Sequence, residues 1–222
     1  VADEAESAEY ERVLDKKLYG SLKVGRKGLV QQRQFIMESF PAGKNIVFLD
    51  DDVSSIDLSM SGIFKDQTLD YFIRYAFKES KKCGSYIWGV YPVFNPFFRG
   101  AREEVSTCLN YIVGAFYGII NRPKLPSLRL LLTESNGQKE DVERTLKYFI
   151  TDGIVIRFNK VGFETKYYGK SGGLGTFEDR LKPMLEASML LKQHYPEYGS
   201  VYTKKNGMTE FKLKKIPAKV KK

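Results

Sequence analysis

The chain has 222 residues and a formal net charge of +9, with 36 Lys and Arg against 27 Asp and Glu. Its 42% hydrophobic and 14% aromatic residues argue against disorder and give a single α/β domain enough core to fold. Two cysteines without CxxC spacing argue against a zinc site or a disulfide framework, and a single histidine, His194, argues against His-rich zinc sites and Ser-His-Asp hydrolysis.

In chain order, Ser7 is placed to cap a helix running to about Leu18, with Tyr10, Val13, Leu14 and Leu18 on one face. The basic turn Gly25-Arg26-Lys27-Gly28 precedes a second helix, about Leu29 to Phe40, which Pro41 and Gly43 end. Asn45–Leu49 is a continuous apolar run, the pattern of a buried strand, and it runs directly into Asp50-Asp51-Asp52. A polar loop leads to a third helix, about Gln67 to Lys82. Strands are expected at Tyr86–Tyr91 and Tyr111–Ile120, and a fourth helix at Glu140–Ile150. Ile154–Phe158 and Phe163–Tyr168 read as two strands joined by a turn at 159–162. A glycine-rich loop, Lys170-Ser171-Gly172-Gly173-Leu174-Gly175, precedes a last helix at Phe177–His194, and Met208–Leu213 reads as an edge strand. The alternation predicts an α/β fold with a central mixed, mostly parallel sheet flanked by helices in one domain, residues 1–215. A basic tail, 216–222, follows. No run is long enough to span a membrane, and no secretory signal is visible, so a cytoplasmic enzyme is the expectation.

The chemistry concentrates at Asp50, Asp51 and Asp52. Adjacent carboxylates repel, so a fold that gathers them calls for a cation, and hard oxygen ligands suit Mn²⁺ or Mg²⁺. The bland alternative is an acidic loop, but this one sits at the carboxyl end of a buried strand, where α/β sheets bind ligands. Arg33 lies four residues after Leu29 and three before Ile36, on the apolar face of its helix. It either pairs with an anion there or snorkels to water. Lys27 and Gly28, in the turn before that helix, and Lys170, Gly172 and Gly173 in the later loop offer basic side chains and free N–H groups to phosphate, although such turns are ordinary. Glu140 and Asp141 open the fourth helix, where the helix dipole favours carboxylates; the functional alternative is a general base. The segment Tyr91–Arg99 is aromatic and punctuated by proline, suited to stacking on a sugar or base if exposed and to the core if buried.

This order of basic turn, Arg-bearing helix, apolar strand, acidic triplet and downstream Glu-Asp resembles the GT-A glycosyltransferases, over roughly Val1 to Gly175. The match to the family's DxD motif is Asp50-Asp51-Asp52. The resemblance implies that Asp50 and Asp52 meet the metal, that Asp51, Arg33, Lys27 and Gly28 contact a nucleotide sugar, and that Asp141, with Glu140 beside it, is the acceptor-side base. It also implies that Val1–Glu4 ends the family's second strand, with Asp3 facing the nucleotide, and that the first strand lies before Val1. The chain departs from the family in its late metal-binding histidine, which has no clear match because His194 falls inside an expected helix. The donor implied is a UDP-sugar. Size and charge look most similar to viral and phage types, including TET/JBP-associated glycosyltransferases and those of large algal viruses, so the acceptor is either a hydroxymethylated base in DNA or a glycan or protein. The rival readings from the residues are a metal-dependent nuclease or nucleotidyltransferase, and a non-catalytic basic nucleic-acid-binding module.

Overall fold

The computed structural model describes residues 1–134, 136–165 and 176–219. The elements in chain order are α1 (Glu4–Val13), α2 (Leu29–Glu38), β1 (Asn45–Leu49), β2 (Val53–Asp57), α3 (Leu69–Cys83), β3 (Ile87–Val90) and α4 (Pro96–Gly100). They continue with β4 (Val105–Ser106), β5 (Phe116–Ile120), α5 (Glu140–Asp152), β6 (Ile156–Phe158), β7 (Gly162–Thr165), α6 (Phe177–His194), β8 (Gly199–Thr203) and β9 (Thr209–Leu213). Among the described residues no helix is long and apolar enough to cross a membrane. Cys83 and Cys108 are both free.

The fold is α/β, with a mixed five-stranded sheet in the order β1-β5-β3-β6-β4. The expectation of a mostly parallel sheet is corrected: β1–β5, β3–β5 and β4–β6 are antiparallel, and only β3–β6 is parallel. The reason lies in β5. It starts beside the end of β1, with Phe116 opposite Leu49, so it must run back between β1 and β3. Two antiparallel pairs, the long-range β2–β7 and the hairpin β8–β9, stand outside this sheet.

Side-chain alternation sorts the core into two layers. On β5, Phe116 and Ile120 join Phe72, Ala76 and Phe77 of α3, while Tyr117 and Ile119 join Val142, Leu146 and Phe149 of α5. Ile36 and Met37 of α2 pack on that second layer, as do Leu191 of α6 and Phe211 of β9. The α3 layer is aromatic. Phe72 meets Phe64, Phe158 and Trp88 edge-on at centroid distances of 5.0, 5.2 and 5.5 Å. The Trp88 indole lies against Gly118, where a β-carbon would strike the ring, so close packing requires glycine there.

Several local expectations change. The cap of α1 is Asp3, which accepts from the Glu6 N–H at 2.9 Å, and not Ser7, which is buried inside the helix. The helix ends at Val13 because Leu14 turns extended, and a separate 3₁₀ turn covers Lys16–Leu18. Val1–Asp3 carry no strand. β6 and β7 are not a hairpin: β6 pairs with β3 and β4, and β7 with β2. The intervening Val161 is buried and its carbonyl accepts from the Tyr91 N–H at 3.0 Å, which fixes the linker across the sheet end. The expected strand at Tyr111–Ile120 begins only at Phe116, because α5 side chains take the preceding backbone: Thr145 Oγ1 accepts from Ile112 N–H at 3.2 Å and Asp141 Oδ2 from Gly114 N–H at 3.2 Å. The aromatic segment divides. Tyr91 and Arg99 are buried, whereas Phe97 in α4 is 82% exposed.

Candidate functional site

β1 delivers the acidic triplet to a tight turn. Asp50 N–H extends the ladder to Ala115 O at 2.9 Å, and Val53 N–H closes the turn on Asp50 O at 3.2 Å. The turn separates the three side chains. Asp50 and Asp52 line a cavity of about 570 Å³, while Asp51 accepts from the Tyr10 hydroxyl at 3.4 Å. That volume lies in the usual range for ligand sites, roughly 300–1,000 Å³.

Arg33 enters the same cavity from α2. It is buried, which excludes snorkelling. Its guanidinium lies 5.6 Å from the Phe48 ring centroid and 5.4 Å from that of Tyr117. Nη2 donates to Asp50 Oδ1 and to Gly114 O, each at 3.1 Å, and Nε stands 3.3 Å from Glu140 Oε1. Burial opposes the charge, but Tyr117, Glu140 and Asp50 together raise the pKa above its ordinary value, so Arg33 is a permanent cation. Gly114 leaves room for this approach: a β-carbon there would lie 3.0 Å from Glu140 Oε1, a tight contact, and 3.5 Å from Arg33 Nη2, an ordinary one.

α5 supplies the other wall. Glu140 is 3% exposed and bridges two arginines, Arg33 and Arg144, the latter at 2.6 Å. Arg144 in turn lies over the Tyr117 ring, 3.8 Å from its centroid. Both Glu140 oxygens are therefore engaged, one by Arg33 and one by Arg144. Its neighbour Asp141 lines the cavity, with Oδ2 accepting from the Tyr111 hydroxyl and the Gly114 N–H. Burial, and then the charge of Glu140, raise the Asp141 pKa; Arg144 and the Tyr111 hydrogen bond offset part of that rise. Asp50 is also raised, by burial first, with Asp52 adding repulsion against the pull of Arg33. Facing these groups, α6 and the β8–β9 hairpin contribute Arg180, Met184, Tyr202 and Lys212.

No family model, curated protein or solved structure matches the chain. The site is read from its own chemistry. Among the described residues no three His, Cys, Asp or Glu side chains cluster closely enough to hold a metal ion. Two carboxylates lining one cavity, Asp50 and Asp52, are still a suitable donor set. Mg²⁺ is commonly held by one or two carboxylates, with substrate phosphate and water completing the shell.

Of the residues expected at a site, Arg33, Asp50, Asp52, Glu140 and Asp141 come together. Asp51 turns away toward Tyr10, and Asp3 is spent capping α1. Lys27 is exposed on the loop before α2, and Gly28 caps that helix with φ +102°, a conformation that favours glycine. Neither lines the cavity. Lys170, Gly172 and Gly173 lie outside the described residues. Tyr111, Arg144 and Arg157 belong to none of the motifs in the sequence. Arg144 had a signal in its i,i+4 spacing from Glu140. Arg157 had one in being the sole charge within the apolar run Ile154–Phe158.

Proposed function

We propose that the chain is a metal-dependent glycosyltransferase with a GT-A-like domain, moving a sugar from a nucleoside diphosphate donor, UDP-linked by resemblance, to an acceptor hydroxyl. One observation carries the reading: a carboxylate pair (Asp50 and Asp52), a fixed cation (Arg33) and a carboxylate of raised pKa (Asp141) line one cavity. Mn²⁺ or Mg²⁺ held by Asp50 and Asp52 would neutralise charge on the leaving diphosphate.

The chain's own groups divide the remaining work. Arg33, held by Glu140, Asp50 and the Gly114 carbonyl, presents positive charge that needs no reorganisation when the diphosphate departs. Asp141 takes the acceptor hydroxyl's proton as that oxygen bonds to the anomeric carbon and the bond to phosphate breaks. Its raised pKa makes it a stronger base than an ordinary aspartate. Tyr111 and the Gly114 N–H fix its orientation.

The test is calorimetric titration of UDP, with and without Mn²⁺, into the wild-type chain, Asp50→Ala and Asp52→Ala. Metal-dependent binding that weakens at least tenfold in Asp52→Ala supports the reading. Equal binding by all three proteins removes the metal role. Cleavage of DNA with Mg²⁺ alone would favour the nuclease instead.

A further inference from the structure

Four arginines are buried: Arg33, Arg99, Arg144 and Arg157. Three of them pair with carboxylates, Arg33 with Asp50 and Glu140, Arg99 with Asp57, and Arg144 with Glu140. Arg157 is 7% exposed, and no described carboxylate forms an ion pair with it. A buried guanidinium without a counter-charge is costly, and one that lines a cavity marks a place where a ligand can supply the anion.

Its setting fits that role. On β6, Ile156 and Phe158 pack into the α3 layer, so Arg157 between them faces the opposite side and lines the cavity. Nε donates to Asn159 Oδ1 at 2.8 Å and Nη1 to the Tyr111 carbonyl at 3.3 Å; these contacts aim the guanidinium without neutralising it. Burial, and then the neighbouring charge of Arg102, push its pKa down to about 10, with Tyr91, Cys108 and the more weakly acting Glu103 opposing. The cation is stressed yet remains charged at neutral pH. Tyr111 links this end to the chemistry, since its carbonyl takes Arg157 while its hydroxyl donates to Asp141. Arg157 therefore stands one tyrosine from the proposed base, on the acceptor side.

We propose that Arg157 forms an oxyanion subsite in the cavity, so that the acceptor is an acidic sugar bearing a carboxylate or a phosphate. A planar guanidinium recognises either group by paired hydrogen bonds. This rests on the glycosyltransferase reading only in naming the occupant a sugar and an acceptor.

The experiment is a chemical-shift titration of the full chain with glucuronate, glucose 6-phosphate and glucose at constant ionic strength, following β6 amides and the Arg157 Nε–H. The wild type is expected to bind at least one of the anions at least tenfold more tightly than glucose. Which anion is preferred identifies carboxylate or phosphate. Arg157→Gln should reduce both to the level of glucose, while Arg102→Gln, outside the cavity lining, keeps the preference. A wild type without preference, or Arg157→Gln retaining it, overturns the inference. Should Arg157→Gln not fold, Arg157→Lys keeps the charge and loses the fork; it must weaken the preference at least threefold, and an unchanged preference overturns the inference. UDP with Mn²⁺ is titrated in parallel. Anion preference without UDP binding keeps the subsite and refutes the glycosyltransferase reading. UDP binding without anion preference does the reverse.

Discussion

Glu140→Gln tests whether the buried charges of the site form one network. Glu140 Oε1 stands 3.3 Å from Arg33 Nε, and Oε2 stands 2.6 Å from Arg144 Nη1. The Glu140 side chain is 4% exposed, and those of Arg33 and Arg144 are 8% and 7% exposed. Glutamine keeps the volume and removes the charge. Arg33 retains Asp50, but Arg144 has no other ion pair among the described residues. Breaking a buried pair by removing one partner costs about 3–5 kcal/mol, and because Arg33 keeps a partner the low end applies, ~3 kcal/mol. For a chain of this size each kcal/mol moves the melting temperature by roughly 2–4 °C, so Tm falls by roughly 6–12 °C. Urea and thermal unfolding of the wild type, Glu140→Gln, Arg144→Met and the double variant form a complete cycle. The two single losses should not add, with a coupling above about 1 kcal/mol in the cycle. A loss below about 1 kcal/mol in Glu140→Gln would show that water screens these charges, and the argument for a rigidly held Arg33 would fail.

Gly118→Ala forces a methyl group into the Trp88 indole and should cost about 1–3 kcal/mol through overpacking. Trp88 is the only tryptophan, so its emission reports the strain directly; unchanged emission and Tm would show that the layer yields freely. Tyr111→Phe removes a hydrogen bond that lowers the Asp141 pKa, so that pKa rises further. The base must be ionised, so turnover falls as pH drops through its pKa, and the acidic limb of kcat/KM should move to higher pH; a limb that stays or moves down contradicts the role of Asp141. Asp141→Asn separates chemistry from folding. A carboxyl whose folded pKa is raised gives its stabilising contribution below the unfolded pKa and loses it as pH rises through the folded value. At pH 7 the asparagine variant should be inactive yet at least as stable as the wild type in urea. A clear destabilisation would mean that Asp141 holds the fold together.

Local signals made much of this molecule legible. The run Asn45–Leu49 forms β1 with those bounds, and Phe177–His194 forms α6, each bounded by residues that change backbone preference abruptly. β2 and β8 were not legible. Val-Ser-Ser-Ile-Asp and Gly-Ser-Val-Tyr-Thr lack strong alternation, and they are strands because β7 and β9 pair with them. α4 is a single turn started by Pro96 and capped by Asn95, too short for periodicity to show. At the site, Asp50 and Arg33 could be placed because a strand end and a helix face fix their directions. Asp51 could not, because a tight turn points adjacent side chains apart. The capping role of Asp3 was not legible, because a carboxylate just before a helix can bind a ligand or cap the helix, and here it caps.

The most direct measurement is release of UDP from a panel of UDP-sugars by the full chain with Mn²⁺, compared with Asp52→Ala and with an EDTA-treated sample. Turnover of at least one donor should appear in the wild type, fall at least a hundredfold in Asp52→Ala, and stop on chelation until Mn²⁺ is restored. Donor hydrolysis at equal rates in the wild type and Asp52→Ala, or none with any UDP- or GDP-sugar, would contradict the assignment.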